Sequence, residues 1–399
     1  MTMIPILTRV LVLGTARSGQ AAAALLARQG VEVVMAGREL GNDADISLLE
    51  GVDVLVKSPG VPRDNPLVAA ARIPIWSEVE LGYRLLSNPI LGVTGTNGKT
   101  TTTEWLGEIF RTAGRAVAVA GNVGHALTAV EAPPETWIVC EVSSFQLEDV
   151  HEFRPRVAVL VNLEPDHLDR HGTFEAYRDA KLRIFENQIA EDAAVVPRGY
   201  GQIPGAAQRI EFCADDELPA EPALPGRHNR ENAAAATAGA RAAGIPDDAI
   251  AEALRSFPGV VHRLELVAEA GGVRFVNDSK ATNTAAARRA LAAFDAPVHV
   301  ILGGSRKGER FDELAAELRA RGRAYLIGET ADEIAEALDR ADVRYERCGE
   351  LGTAFARAAE AASPGEIVLL SPACASYDQF EDFEHRGEEF RRLVQNLSG

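Results

Sequence analysis

Short apolar runs alternate with alanine-rich amphipathic stretches along almost the whole of this 399-residue chain. Near the start, residues 10–13, 31–35 and 52–56 form apolar runs of strand length, and an amphipathic stretch at 19–29 separates the first two. This rhythm is typical of βα units, in which helices cover a parallel sheet. The sequence therefore predicts an α/β fold.

Breaks in the rhythm divide the chain into three parts. A second series of strands begins with the run 90–93, and a third begins after the turn 257–259. Further strands are predicted at residues 117–120, 137–141, 157–161, 274–276, 298–302, 324–327 and 367–370, with irregular or short-stranded structure across 197–225. The length fits two to four domains of roughly 100–200 residues. We predict three, with bounds 1–87, 88–259 and 260–399.

The net charge limits what the chain binds. Subtracting 58 acidic from 41 basic side chains gives −17, which repels a nucleic acid backbone outside local basic pockets. We therefore expect no nucleic acid partner. The four cysteines are widely spaced and predict neither a disulfide framework nor a zinc site. No apolar run reaches the roughly 18–20 residues that cross a bilayer, so we expect a soluble cytoplasmic protein.

The segment 92–100, GVTGTNGKT, follows an apolar run and precedes a predicted helix. This is the setting of a P-loop, in which glycines turn backbone N–H groups toward phosphate oxygens. Lys99 would neutralise β/γ-phosphate charge and Thr100 would bind Mg²⁺. Val93 departs from the strict motif, which has glycine there. The alternative is a glycine-rich turn with a surface lysine, and we predict ATP binding.

Two later runs end in polar groups. One ends at Glu141, and the groups that follow the run 157–161 are Asn162, Glu164, Asp166, His167, Asp169 and His171. Ligands of open parallel sheets gather at the carboxyl ends of strands, where a carboxylate can bind Mg²⁺ together with substrate phosphates. The alternatives are a helix cap or surface acid for Glu141 and a structural role for His167.

Lys181 stands among apolar residues. In the predicted helix 174–188 it shares one face with Phe174, Tyr177, Ile184 and Phe185. A buried ammonium without a partner is costly, so this side chain either extends to water or meets anions or a modification. The residues alone favour the extension to water.

Polar segments recur in the rest of the chain. Asn229 and Asn232 lie one turn apart at a predicted helix start, where they pair with a base edge or cap the helix, and capping is the simpler interpretation. The segments 276–283, 303–308 and 371–380 each follow a predicted strand. The last offers hydroxyls and a helix start that suit a carboxylate.

Taken in order, these motifs resemble the Mur ligase family. The strings that carry the resemblance are GTNGKT at 95–100, EVSSFQ at 141–146, DHLD at 166–169, KLR at 181–183, HN at 228–229, HR at 262–263, NDSKAT at 277–282 and SPA at 371–373. They span nearly the whole chain. The longer strings SSFQL, NDSKATN and SPACAS are similar to those of members that add D-glutamate.

The resemblance implies an ATP-dependent amide ligase of peptidoglycan synthesis. Its partners would be UDP-N-acetylmuramoyl-L-alanine, D-glutamate and ATP, and we expect a monomer. The implied domains are a Rossmann-like N-terminal domain for the UDP-sugar, a central P-loop ATPase-like domain and a C-terminal Rossmann-like domain for the amino acid. ATP would phosphorylate the substrate carboxylate, and the amine of D-glutamate would attack the acyl phosphate.

The family pattern, carried over residue by residue, implies roles for individual side chains. The catalytic residues are Lys99, Glu141, His167 and Lys181. One Mg²⁺ is assigned to Thr100 and Glu141, and a second to His167 and a carbamylated Lys181. With this modification, the resemblance replaces the interpretation in which the Lys181 side chain extends to water. The ATP-binding residues are Gly95, Thr96, Asn97, Gly98, Lys99, Thr100, Thr101, Asn229, Asn232, Arg263 and Asp278. The UDP-sugar residues are Thr15, Ala16, Arg17, Arg38, Ser58, Pro59, Gly60, Asn122 and Ser143. The D-glutamate residues are His167, Lys280, Thr282, Lys307, Ser376, Tyr377 and Phe383.

One departure and three alternatives accompany this interpretation. At residues 36–38 the chain has Ala-Gly-Arg, where the family often has an acidic residue and threonine before arginine. Another ligase of the superfamily would add a different amino acid or extend a folate tail. The segment 14–19 resembles a dinucleotide fingerprint and suits a nicotinamide-dependent dehydrogenase. A non-catalytic ATP-dependent switch is the third alternative.

Overall fold

The computed structural model describes residues 7–122, 124–306 and 310–397, and of Asp169 the backbone alone. The chain divides into two compact units, Met1–Phe257 and Pro258–Gly399. The first unit contains two parallel sheets and the second contains one mixed sheet, which confirms the α/β class. Within the described residues, no helix has both the length and the apolar character needed to cross a membrane.

The first sheet has four parallel strands in the order β2-β1-β3-β4. The strands are β1 Arg9–Leu13, β2 Glu32–Ala36, β3 Val54–Lys57 and β4 Ile75–Ser77, and the helices are α1 Arg17–Arg28, α2 Pro66–Ala70 and α3 Glu78–Leu85. Because side chains alternate along a strand, Val10 and Val12 pack into one core and Leu11 and Leu13 into another. The sequence prediction missed the three-residue strand β4.

The second sheet has six parallel strands in the order β10-β9-β8-β5-β7-β6. The strands are β5 Ile90–Thr94, β6 Val117–Gly121, β7 Trp137–Glu141, β8 Val157–Leu160, β9 Ala193–Pro197 and β10 Gln208–Phe212. The helices are α4 Lys99–Thr112, α5 Ser144–Leu147, α6 Leu168–His171, α7 Phe174–Leu182, α8 Arg227–Ala242 and α9 Asp247–Ser256. The connection from β5 leads to β6, at one edge of the sheet, whereas the connection from β7 leads back past β5 to β8, toward the other edge. The ends of β5, β7 and β8 therefore border a topological switch point.

Buried polar contacts join the first two sheets. Lys57 Nζ, at the end of β3, lies 2.9 Å from Asp149 Oδ2, and Lys57 is almost fully buried. The buried carboxylate of Glu80 in α3 accepts the backbone N–H groups of three consecutive residues, 151–153. Charge-assisted bonds of this kind are stronger and more directional than neutral ones. They explain why the two sheets form one compact unit.

The third sheet has the order β11-β12-β16-β13-β14-β15, with β11 antiparallel to β12 and the other pairs parallel. The strands are β11 Glu265–Ala270, β12 Val273–Asn277, β13 Val298–Gly303, β14 Gly322–Ile327, β15 Tyr345–Gly349 and β16 Ile367–Leu370. The helices are α10 Thr284–Ala292, α11 Asp312–Leu318, α12 Ala331–Arg340, α13 Leu351–Ala361 and α14 Phe383–Leu397. Since β12, β16 and β13 are neighbours, the loops that follow them meet at one edge.

Candidate active site

The loop between β5 and α4 has the conformation of a phosphate-binding loop. Gly95 has φ +154° and Gly98 has φ +75°, values that L side chains rarely adopt. A Cβ on Gly98 would lie 2.1 Å from Asn232 Oδ1, so α8 packs directly against the turn. Because α4 begins at Lys99, its N-terminal N–H groups and its dipole favour an anion at the loop.

Residues that follow β8 brace this loop. Asn162 Oδ1 accepts the N–H of Asn97 at 2.8 Å, and its backbone carbonyl accepts the N–H of Thr96 at 3.1 Å. The Thr96 hydroxyl accepts the N–H of Glu164 at 2.9 Å and lies 3.1 Å from the carbonyl of that residue. Asn162, which the sequence offered as a metal-capable group, therefore supports the phosphate loop in this structure.

Lys99 folds back over the loop. Its Nζ donates to the carbonyl oxygens of Gly95 and Thr96, both at 2.9 Å. The side chain is half-buried, in contrast to the surface lysine of the alternative interpretation. Thr100 and Thr101 follow it and are buried in the first turn of α4. The positive charge therefore lies at the loop itself.

Lys181 is buried against the same loop. The residue is 2% exposed, and its Nζ donates to the carbonyl of Gly95 at 2.7 Å. Burial, assisted by the charge of Lys99, lowers the pKa of the Lys181 amine to about 6. The extension to water that the residues alone favoured is therefore wrong. Helix α7 ends at Leu182, earlier than the predicted 188, and presents Lys181 in its last turn.

Glu141 ends β7 with an incompletely paired carboxylate. Its Oε1 accepts from Asn122 Nδ2 at 3.0 Å, whereas Oε2 is buried without a hydrogen-bond partner among the described residues. Ser143, not Glu141, caps α5, and Glu141 is 1% exposed, so the helix-cap and surface-acid alternatives are wrong. An unsatisfied buried carboxylate oxygen is the kind of ligand that a magnesium ion takes. Glu141 Oε2 therefore fits the chemistry of a Mg²⁺ ligand.

His167 precedes the one-turn helix α6. Its backbone has φ +50°, a left-handed conformation that non-glycine residues seldom adopt. The ring lies 4.9 Å from that of Phe145 and 6.3 Å from that of Tyr177, measured between centroids. Lys181 Nζ lies 4.8 Å from the Tyr177 ring. The structure thus brings His167 and Lys181 to the same aromatic ring. No cluster of three His, Cys, Asp or Glu groups suited to a metal occurs in the described part of the chain.

The start of α8 corrects one expectation. Its N-cap is Gly226, which makes no side-chain capping bond. Asn229 instead donates from Nδ2 to the carbonyl of Pro225 at 2.8 Å. The capping interpretation of Asn229 and Asn232 is therefore wrong, and Asn232 is buried at the phosphate loop.

In the first sheet, the loops after β1 and β3 meet. Gly14 has φ +118°, and a Cβ there would lie 2.4 Å from Ser58 Oγ. Thr15 donates its hydroxyl hydrogen to Glu39 Oε2 at 2.9 Å, and α1 begins at Arg17 immediately after Ala16. Pro59 and Gly60 continue the second loop, whereas Arg38 is largely exposed on a 3₁₀ turn after β2.

In the second unit, the loops after β12, β16 and β13 converge. Asp278 Oδ2 accepts the Ser371 hydroxyl at 2.7 Å, and Oδ1 accepts the N–H of Leu264 at 3.2 Å. Burial raises the pKa of Asp278 to about 7, against the opposing effects of these hydrogen bonds and of the Arg263 charge. The N–H of Ser305 donates to the carbonyl of Ala375 at 2.9 Å, which ties the loop after β13 to the loop after β16.

The residues assigned to D-glutamate lie around this edge. Lys280 Nζ is 5.9 Å from the centroid of Phe383, Ser376 is buried, and Tyr377 is 71% exposed. Thr282 is half-buried in the loop after β12, while Lys307 falls outside the described residues. Helix α14 begins at Phe383, so the helix start expected within 371–380 is wrong.

Two family models match this chain. The Mur ligase middle domain matches residues 93–204, and the Mur ligase glutamate ligase domain matches residues 262–374. A protein of Acidobacterium capsulatum named UDP-N-acetylmuramoylalanine--D-glutamate ligase is 41% identical over 442 aligned positions, covering 97% of this chain and 96% of the relative. The chain belongs to the Mur ligase family. A Pelotomaculum thermopropionicum protein of the same name is 42% identical, covering 98% of each chain.

Two solved structures share the fold of this chain. The UDP-N-acetylmuramate-alanine ligase of Thermotoga maritima has a TM-score of 0.61 at 19% identity, covering 98% of this chain and all of that chain. The bifunctional folylpolyglutamate synthase/dihydrofolate synthase of Yersinia pestis, solved with AMPPNP and Mn, has a TM-score of 0.56 at 18% identity. It covers 80% of this chain and 93% of that chain. Membership in the Mur ligase family replaces the dehydrogenase interpretation of residues 14–19.

Sequence reasoning missed a buried arginine of this Mur ligase. Arg386 in α14 is 1% exposed and donates to the carbonyls of Ser279, Cys374 and Ala375, so it ties the loop after β12 to the loop after β16. A signal was present, because Arg386 shares the apolar stripe of α14 with Phe390 four residues later. It is the same anomaly that singled out Lys181.

Proposed function

We propose that this chain is an ATP-dependent ligase that joins D-glutamate to UDP-N-acetylmuramoyl-L-alanine in the cytoplasmic synthesis of peptidoglycan precursors. The observation that carries the proposal is 41–42% identity over nearly the full length to relatives that bear that name. A preformed phosphate loop with two lysines at it supports the proposal independently.

The proposed reaction has two steps. The carboxylate of the alanyl group attacks the γ-phosphorus of ATP, which forms an acyl phosphate and releases ADP. The amine of D-glutamate then attacks the acyl carbon, loses a proton, and expels phosphate to leave an amide. Both steps depend mainly on positioning and on neutralising negative charge.

In the first step the chain would supply charge and position. Lys99 and the N–H groups at the start of α4 would hold the β- and γ-phosphates. A Mg²⁺ bound by Thr100 and Glu141 would supply further neutralisation of phosphate charge, and Glu141 Oε2 fits this role because it is buried and unpaired among the described residues. Asn232 would meet the nucleoside from α8, where it already contacts the turn at Gly98.

Lys181 would act as a modified residue. Its amine is largely neutral at pH 7 because its pKa is about 6, and a neutral amine is the form that reacts with CO₂. A new N–C bond and loss of a proton give a carbamate, which converts this buried, largely neutral amine into an anionic oxygen donor. Together with His167, this group would hold a second Mg²⁺.

The remaining residues would bind the two other substrates. Thr15 to Arg17, Arg38, Ser58 to Gly60, Asn122 and Ser143 would contact the UDP-sugar. Lys280, Thr282, Lys307, Ser376, Tyr377 and Phe383 would contact D-glutamate, and Arg263 and Asp278 would hold the ribose-phosphate side of ATP. We propose the domain bounds 1–87, 88–259 and 260–399 for these three tasks, and a monomer in solution.

The deciding experiment measures ADP formation by the purified chain with Mg²⁺, ATP and UDP-N-acetylmuramoyl-L-alanine. Separate reactions contain D-glutamate, L-glutamate, L-alanine or L-lysine, and we expect turnover with D-glutamate alone. Turnover with another amino acid, or with a folate acceptor, would assign the chain to a different ligase of the superfamily. A rate of ADP formation that does not change with any added amino acid or acceptor compound would favour the non-catalytic ATP-dependent switch.

A further inference from the structure

Arg170 of α6 reaches from the second sheet to the loop that follows β3. Its Nη1 donates to the carbonyl of Pro59 at 2.7 Å, and its Nη2 lies 3.4 Å from the carbonyl of Val61. The proposed function places Ser58, Pro59 and Gly60 at the UDP-sugar. The Arg170 guanidinium therefore hydrogen-bonds to the backbone of the loop that we propose binds this substrate.

The other partners of Arg170 are a buried carboxylate and an aromatic ring. The side chain of Glu148, which follows α5, is 2% exposed, and its Oε2 lies 3.2 Å from Arg170 Nη2. The guanidinium carbon lies 4.0 Å from the centroid of the Phe145 ring. A planar guanidinium can hold a carbonyl, a carboxylate and an aromatic face at once, whereas the point charge of lysine cannot.

Glu148 also fixes the far end of α6. Its Oε1 lies 3.3 Å from His171 Nδ1, and His171 Nε2 lies 3.1 Å from Ser144 Oγ. The backbone N–H groups of Arg170 and His171 both donate to the carbonyl of His167, at 3.1 and 3.0 Å. Since α6 is a single turn, holding these two side chains also fixes the backbone on which His167 stands.

We infer that Arg170 and Glu148 are a positioning pair, which locks the UDP-sugar loop and the His167 turn into one arrangement. The inference rests on the proposed function of those two segments. Neither residue of the pair touches the reacting atoms in this scheme. Contacts made to the nucleotide-sugar, remote from the reacting carboxylate, are thereby coupled to the turn that carries His167.

The test variant is Arg170→Lys, which keeps a positive charge beside buried Glu148 but loses the two separate N–H groups that reach Pro59 and Glu148 at once. We expect the KM for UDP-N-acetylmuramoyl-L-alanine to rise about tenfold and kcat to fall about tenfold, because a charged hydrogen bond to the loop is lost. The KM for ATP should change less than about twofold, since the loop at Gly95 to Lys99 keeps its own contacts. Glu148→Gln should shift the same two constants in the same direction.

The matched control is Arg63→Gln. Arg63 Nε lies 3.4 Å from the same Glu148 oxygen, but its side chain is 69% exposed, so we expect all constants to stay within about twofold. The thermal unfolding midpoint of each variant shows whether a change in KM or kcat comes from a destabilised fold or from misplaced loops in a folded protein. A lower midpoint with wild-type KM and kcat in Arg170→Lys would show that the pair is only structural and would overturn the inference.

A binding measurement separates this inference from the proposed function. Calorimetric titration of UDP-N-acetylmuramoyl-L-alanine needs no turnover. If the wild type binds this compound but shows no D-glutamate-dependent turnover, the proposed function fails while weaker binding by Arg170→Lys still supports the pair. Equal affinity of the wild type and Arg170→Lys, or no binding by either, overturns the inference.

Discussion

The phosphate loop of the first unit and the three-loop edge of the second unit differ in how their candidate site residues are buried. At the phosphate loop, Lys181 is 2% and Glu141 1% exposed, and Lys99 is half-buried. At the three-loop edge, Asp278, Ser376 and Arg386 are buried, while Tyr377 is 71% exposed. The named side chains of the first region are thus mostly enclosed, whereas the second region also presents an exposed side chain.

The difference predicts how each region responds to substitution. Burial sets the protonation state of Lys181 before any ligand arrives, so changes at the phosphate loop should mainly lower kcat. Exposed side chains such as Tyr377 gain their contacts only with a ligand, so changes there should mainly raise KM. The following predictions test this contrast, beginning with the largest expected effect.

Lys99→Ala should lower kcat for ADP formation by about 10²–10³-fold, because a charge that offsets the developing phosphate charge is removed. Steady-state kinetics with D-glutamate and the UDP-sugar measure it. Circular dichroism serves as the folding control. A variant that keeps more than about a tenth of the wild-type kcat would contradict the assignment of the loop.

Lys181→Ala should lower kcat by about 10²-fold, and a short carboxylate such as acetate should restore part of the activity by supplying the missing oxygen donor. The measurement is ADP formation with and without acetate. Lys99→Ala is the matched control, and acetate should not rescue it. Absence of rescue, together with no carbamate signal in ¹³C NMR of the wild type in labelled bicarbonate, would refute the modification.

Asp278→Asn should change how stability depends on pH. The folded-state pKa of about 7 lies above the ordinary 3.8, so the stabilisation from the protonated carboxyl is complete below about pH 4 and is lost as pH rises through 7. The melting temperature of the variant minus that of the wild type should therefore grow more positive between pH 4 and 8. Asp247→Asn is the control: the pKa of Asp247 is lowered by Arg241, so its difference should stay flat above pH 5. A flat difference for Asp278→Asn would exclude a raised pKa.

Tyr377→Phe should have the smallest effect, a rise of about two- to tenfold in the KM for D-glutamate, the range expected for one neutral hydrogen bond. The unfolding midpoint should not move because the side chain is exposed. Tyr345→Phe is the control, since Tyr345 lies on β15, away from the three loops, and its hydroxyl donates to Asp339 of α12. An unchanged KM for D-glutamate in Tyr377→Phe would remove Tyr377 from the site.

The sequence predicted most interior strands, but it missed the interior strand β9 and the edge strands β4, β10, β11 and β15. β5, β8 and β16 are buried on both faces and read as continuous apolar runs. The strands β10 and β15 lie at sheet edges and carry charged residues on exposed faces, so their sequences lack that signal. β10 lies within residues 197–225, which we predicted to be irregular or short-stranded.

The sequence by itself determined the phosphate loop and the family, because both depend on short strings of local residues such as GTNGKT. Only the tertiary structure decided the burial of Lys181: the residues alone favoured extension to water, the resemblance favoured a modified lysine, and the side chain is buried beside Gly95, 86 positions away. It also decided the pair of Arg170 and Glu148, 22 positions apart. Burial and desolvation depend on which distant segments pack together, and no local pattern of residues records that.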